Sequence, residues 1–515
     1  MKHVSLVASV VFAALTSLLA ACGTSDQAQG TAEPAGAPGV GPGAGGSVVP
    51  VLTPAMPLAV TEVAVYQGVK VTIVKGGEHV AERNAPLIAG RRALVRVFVE
   101  PKEGYTPRKV IAELSIRPAA GEAPAPLRDS RSIEVASTEV GRTSTFNFEV
   151  SGEALTQGAT FSVTLREDTG DGPLLTAEPV RYPAGTAQDD LEFQPTGKLK
   201  IVLVPVRYDG DGTQRLPDVS SAQLERYRRK FLTLYPTSEV EVIVHDPFPW
   251  PTAISANGSG FSGILEAMIR LRRTERASDD TYYYGAFAPN TSFERYCSRG
   301  CVTGLSGVVE AAGDAYLRAS VGLGFTGESS ADTMAHEIGH AHGREHAPCG
   351  GASGPDRKFP DPRGGIRVWG YDIFQKTFID PAKGKDMMGY CEPAWVSDYT
   401  YSALHERLLA VGSTAKAMSL RTGANTSYRM LTVDGDGAVL TSNLITLDRG
   451  PEGPGSSVEY LGEADGRHVV ARGSAHFVPF DHLPGGIVVV PERAEAYRSL
   501  RIALPSRMME LKLAR

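Results

Sequence analysis

Cysteine is nearly missing from this chain. There are five in 515 residues, and none lies between residues 23 and 296. No thiol from that stretch can ligate a metal or hold a site shut. Surplus charge is missing too. The net charge of −6 at pH 7 is too small to draw the chain to nucleic acid or to an anionic membrane surface. Histidine is scarce, at 11 residues, so a local cluster of it carries information. The one long apolar run, Val4 to Leu19, is shorter than the roughly 20 residues of a membrane span. What remains has a globular composition, 42% hydrophobic and 21% charged. The length suits about two to four domains.

The apolar run follows Met1-Lys2-His3 and ends in Leu19-Ala20-Ala21-Cys22. It reads as a lipoprotein signal peptide, residues 1–21, with Cys22 as the lipidated first residue of the mature chain. An ordinary secretory signal that happens to contain a cysteine is the alternative. The lipid reading places the protein on the bacterial cell envelope, outside the cytoplasm, anchored to a membrane through Cys22. Gly23 at the next position favours the outer membrane. Residues 22–55 are rich in Gly, Ala and Pro and read as a flexible linker.

The stretch Thr333 to His346 reads H-E-x-x-H-x-x-G-x-x-H. On a helix, residues four apart share a face, so His336 and His340 can hold one metal ion between them. Glu337 stands beside the first ligand, where it can act on a water at the metal. Gly343 can take a positive φ, end the helix and turn the chain, which brings His346 back as third ligand. Three neutral imidazoles leave a position open, as in a catalytic zinc site. His342 lies off the ligand face and reads as a supporting or surface residue.

At these residues the chain resembles the metzincin metallopeptidases, whose extended zinc motif has this form. The resemblance implies one catalytic Zn²⁺ on His336, His340 and His346, with Glu337 as general base. It also implies a methionine turn beneath the metal. Asp386-Met387-Met388-Gly389-Tyr390-Cys391 places Met388 there, with Met387 as runner-up. Tyr390 then corresponds to a tyrosine that ligates zinc or stabilises the oxyanion in some members. The surrounding residues, His346 to Gly351 and Tyr390 to Tyr399, are similar to secreted bacterial metallopeptidases of the mucin-cleaving kind.

An even number of cysteines remains beyond Cys22, which in an oxidising compartment suggests two disulfides. Three pairings are open. Cys297–Cys301 with Cys349–Cys391 is favoured, because the second bridge would join the segment after the third ligand to the methionine turn. A second zinc site has poor spacing.

The expected architecture is multidomain. An α+β metzincin-like catalytic domain (196–412) is flanked by β-sandwich domains at 56–192 and 413–515. Short alternating runs such as Val60 to Tyr66 and Ala93 to Val99 support the first sandwich. It can serve as a binding domain or as a removable pro-domain. Lacking cysteine, it could plug a metal site only with a carboxylate or backbone group. Within 196–412, Leu224, Tyr227, Phe231 and Leu234 predict a helix over 221–234. Arg270, Arg272 and Arg273 read as a solvated face. By resemblance, an edge strand that pairs with substrate falls within 302–311. Ser329 or Ser330 should cap the metal-binding helix. Residues 347–385 read as loop, and 396–411 as a closing helix. Asp434-Gly435-Asp436-Gly437 hints at calcium but fits a hairpin turn better. His468, His476 and His482 are too scattered to suggest a second metal site.

These readings converge on a surface-anchored zinc metalloendopeptidase, a monomer acting on polypeptide or glycoprotein substrates. The alternatives are a glycan- or protein-binding lipoprotein with a vestigial metal site, and a zinc amidase or deacetylase.

Overall fold

The computed structural model describes residues 56–168, 178–418, 425–462, 468–504 and 508–513. The leader, Cys22 and the linker lie outside the described residues. The chain is mostly β-sheet, with sheets of seven, five, six, two and seven strands. Five helices accompany them among the described residues: α1 (Ser221–Leu234), α2 (Phe261–Thr274), α3 (Phe293–Tyr296), α4 (Glu328–Ala341) and α5 (Asp398–Met418).

The first two sheets are antiparallel and share a core. Val63, Val65, Val95 and Val97 of one meet Val110, Leu114, Phe161 and Val163 of the other. The opposite face of the first sheet is apolar as well. There Ala64, Tyr66, Leu94 and Phe98 pack with Tyr371. This follows from the strand period of two, which sends neighbouring side chains to opposite faces. The cover comes from residues expected to be loop. Gly370–Asp372 and Thr377–Ile379 form a hairpin whose first strand pairs with Gly68–Lys75.

The central sheet runs Val240–Val244, Leu199–Tyr208, Thr281–Phe287, Ala319–Leu323, Gly304–Ser306. The first four strands are parallel and the last is antiparallel. Both faces of the inner strands Leu199–Tyr208, Thr281–Phe287 and Ala319–Leu323 are covered, and these strands are almost continuously apolar. Val202, Val204, Val206, Tyr283 and Phe287 face α2. Ile201, Leu203, Tyr282 and Tyr284 face α1 and α4. Gly304–Ser306 is the edge strand anticipated within 302–311.

Local details differ from expectation. Arg272 is buried, not solvated, and donates to the Thr281 and Ser278 carbonyls. Residues 315–317 form a 3₁₀ turn ahead of the strand at Ala319. The N-cap of α4 is Gly327, with no side-chain cap, and Ser330 Oγ donates instead to Phe325 O (2.6 Å).

Residues 426–512 do not form two facing sheets. Seven strands follow one hydrogen-bonded path. Alternation again sorts the two faces. Met430, Ile445, Ile487 and Val489 join the α2 core, while Leu431, Val433, Val488, Val490 and Leu500 form a core of their own. The sheet is rolled, because Gly437, in the turn after Thr426–Asp434, lies against Met509 and Leu511 of the last strand. Asp434 Oδ1 accepts from the Asp436 and Ala438 N–H groups, closing that turn.

Candidate metal centre

Helix α4 carries His336, Glu337 and His340. Gly343, at φ +80°, turns the chain behind it and returns His346. The three Nε2 atoms converge. His340 Nε2 lies 3.0 Å from that of His336 and 3.2 Å from that of His346. Each Nδ1 donates to a backbone carbonyl: His336 to Met387 (2.7 Å), His340 to Arg344 (2.5 Å), His346 to Ser353 (2.6 Å). Those bonds place the proton on Nδ1 and leave three Nε2 lone pairs facing one point. Burial holds all three imidazoles below their usual pKa, His340 at about 3, and the neighbouring rings add to the effect for each of them. Neutral rings with converging lone pairs repel one another unless a cation lies between them, so the donor set fits a metal ion such as zinc.

The floor is built from Asp386 to Tyr390. The buried Asp386 carboxylate accepts from Met388 N–H (2.9 Å) and Ser397 N–H (2.9 Å). Met388 O accepts from Ala347 N–H (2.9 Å), and its side chain packs against Gly339 of α4. Both candidate methionines are therefore used, Met387 through its carbonyl and Met388 through its side chain. Tyr390 Oη lies 3.0 Å from His346 Nε2. Burial, then Asp481 and Glu337, hold the Tyr390 phenol well above its usual pKa, so it stays protonated. The pairs Cys297–Cys301 and Cys349–Cys391 are both disulfides. The second ties the segment after His346 to the residue after Tyr390.

His342 is buried, not at the surface. It stacks on Tyr282 at 4.4 Å between ring centres and donates from Nδ1 to Ile338 O (2.8 Å). Burial pushes its pKa down to about 3. This sets a pH dependence for the metal-free chain. Unfolded histidine takes up a proton near pH 6.5, and folded His340 and His342 refuse it down to about 3. The unfolded state therefore binds more protons in that window, and stability falls as pH drops. Urea midpoints for the metal-stripped protein should decline from pH 7 to pH 5. A flat profile would remove this account.

Glu337 is fully buried. Burial, then the Asp481 carboxylate, hold its pKa above the ordinary carboxylate range. Two further residues reach this centre, and sequence reasoning missed both. His482 Nε2 donates to Glu337 Oε1 (3.0 Å), and His482 Nδ1 is hydrogen-bonded to Tyr390 Oη. Asp481 Oδ2 stands 3.4 Å from His340 Nε2. Nothing local in Phe480-Asp481-His482 signals this. His476 is elsewhere, bonded to Gly453 O (2.9 Å).

Residues 263–399 match the Peptidase M66 family.

The match runs from α2 through the metal-binding helix to the start of α5 and covers less than half of the chain. It points to a peptidase acting on polypeptide. No curated protein matches. Among solved structures, a calcium-binding mutant of Bacteroides uniformis beta-glucuronidase 2 aligns at 9% identity, over 39% of this chain and 27% of that one, with a TM-score of 0.15. A putative beta-galactosidase from Bacteroides fragilis aligns at 13% identity, over 45% and 36%, with a TM-score of 0.14. The chain spans well under half the length of either. Neither alignment carries an argument about fold or function.

Proposed function

We propose that the chain is a zinc-dependent endopeptidase of the metzincin type, lipid-anchored through Cys22 on the bacterial cell envelope. The observation that carries this reading is the convergence of three Nδ1-protonated imidazoles beside the buried carboxylate of Glu337. The Peptidase M66 match over the same residues supports it. So do the edge strand beside the metal helix and the turn at Met388.

His336, His340 and His346 would hold the zinc. When bound, the ion supplies Lewis acidity, which makes water nucleophilic near neutral pH and polarises a carbonyl. Glu337 takes the proton of the attacking water and delivers it to the leaving amine. The Tyr390 phenol donates to the carbonyl oxygen as negative charge develops there. Met388 shapes the floor under the ligands without touching the metal. A glycoprotein substrate is favoured by the sequence resemblance.

Metal removal tests the assignment. Purified protein should contain one zinc per chain. Dialysis against a chelator should remove both the ion and the basal cleavage of a denatured casein substrate, and one equivalent of zinc should restore them. Cleavage that persists in the stripped protein would exclude the zinc mechanism.

A further inference from the structure

The hairpin tip between strands Val469–Pro479 and Gly485–Pro491 lies along the edge strand and against the histidine cluster. Val308 N–H donates to Pro479 O (3.0 Å), and Asp481 N–H donates to Ser306 O (3.2 Å). Phe480 stands opposite Gly307 in an antiparallel bridge. Ser306 N–H donates to Asp481 Oδ1 (3.0 Å). An extended peptide adds to an exposed sheet edge through these same backbone groups. The free edge at Ser306 and Val308 is therefore already taken by the chain itself.

A second observation is independent of the first. Asp481 and His482 join His336, His340 and His346 in one group whose ligand atoms all lie within 4.8 Å of one another. Asp481 Oδ2 is 3.4 Å from His340 Nε2 and 3.3 Å from His482 Nε2. It is buried and faces the Glu337 carboxyl group. Around zinc, with bonds of about 2.0–2.2 Å, adjacent ligands stand roughly 3–3.5 Å apart. Asp481 is thus at ligand spacing, and the Glu337 carboxylate is engaged by His482. Catalytic sites keep a position open, and here the Asp481 carboxylate stands beside it while His482 holds Glu337 and Tyr390.

We propose that residues 479–482 are an internal occupant of the substrate cleft: Asp481 fills the metal's open position, His482 ties up Glu337 and Tyr390, and the folded chain is a latent peptidase. The proposal rests on the zinc-peptidase reading above. Val478, Phe480, Ile487 and Val489 seat the hairpin in the α2 core, with Leu483 packed against it. Pro484 is exposed and Leu483 half-exposed, so a protease or a binding partner can reach the tip. Cutting or withdrawing it frees the edge strand and the metal together.

The test uses the full chain carrying Co²⁺ in place of zinc, with azide as probe of an open metal position. Two variants are compared with the wild type: Asp481→Ala combined with His482→Ala, and the isosteric Asp481→Asn. The second keeps an oxygen for Ser306 N–H and serves if the double variant misfolds. In the wild type, millimolar azide should leave the visible cobalt spectrum unchanged. In the variants it should shift the spectrum, and peptide cleavage by their zinc forms should rise. A site open less than a tenth of the time gains about tenfold or more when held open. An azide response equal to that of the wild type overturns the closure. An azide response together with reduced cleavage overturns the latency and makes both residues part of catalysis. An azide response with no cleavage in any form keeps the closure and removes the peptidase reading instead.

Discussion

Replacing Glu337 with Gln is expected to lower peptide cleavage by about 10²- to 10⁴-fold, the usual contribution of a positioned general base. Metal content should not change, because Glu337 is not among the three converging imidazoles. The loss should appear in kcat with KM nearly constant, since proton transfer belongs to the transition state alone. The same factor should separate the base variant from its parent in the background opened by Asp481→Ala and His482→Ala, where turnover is highest. Gln is isosteric and can still accept from His482 Nε2, so the fold has no reason to fail. The metal-free variant should melt at or above the wild type. Glu337 is buried beside Asp481 with its pKa raised, so its charged form costs stability at neutral pH, and the amide removes that cost. Full cleavage by the Gln variant would assign the proton transfer to another group.

Deleting residues 56–192 is expected to destroy the fold rather than release an active enzyme. The first sheet is joined to the catalytic half at many points. Trp395 Nε1 donates to Gly68 O (2.8 Å), and Lys70 N–H donates to Trp369 O (2.8 Å). Arg91, buried, donates to Thr233 O (2.9 Å) and to Tyr235 O at the end of α1. The hairpin at 370–379 has no other sheet to join, and Tyr371 and Phe378 pack on Tyr66. Uncovering side chains of this size costs about 1.5–3 kcal/mol each. A few of them equal the roughly 5–15 kcal/mol that holds a domain together. Residues 196–515 alone should therefore give inclusion bodies, or a soluble form without a cooperative thermal transition by circular dichroism. A well-folded, active truncation would restore the pro-domain reading of 56–192. As the structure stands, the carboxylate that reaches the metal centre comes from Asp481, at the other end of the chain.

The split between what was legible beforehand and what was not has a physical cause. His336, Glu337 and His340 were readable because helical pitch alone brings positions four apart to one face. His346 followed because Gly343 ends the helix at a fixed offset. Cys297–Cys301 closes a short local loop. The turn at Met388 follows from the family resemblance, and the Cys349–Cys391 bridge from that turn. The central strands were readable because burial on both faces leaves them continuously apolar. Side-chain alternation along the outer strands predicted sandwich strands, but not that the second face of the first sheet is covered as well. That the hairpin at 370–379 completes the first sheet, and that the last seven strands form one rolled sheet, depends on cores shared between distant segments. His482 is the clearest case. It meets Glu337 across 145 residues of sequence. Its flanking residues carry no metal-site spacing, and it reaches the histidine cluster only because alternate residues of its sheet are buried against α2. The sequence by itself pointed to His336, Glu337, His340 and His346 as one cluster, and the structure brings them together. Only the packing of the last sheet on the central one decided that Asp481 and His482 stand in the open side of that site.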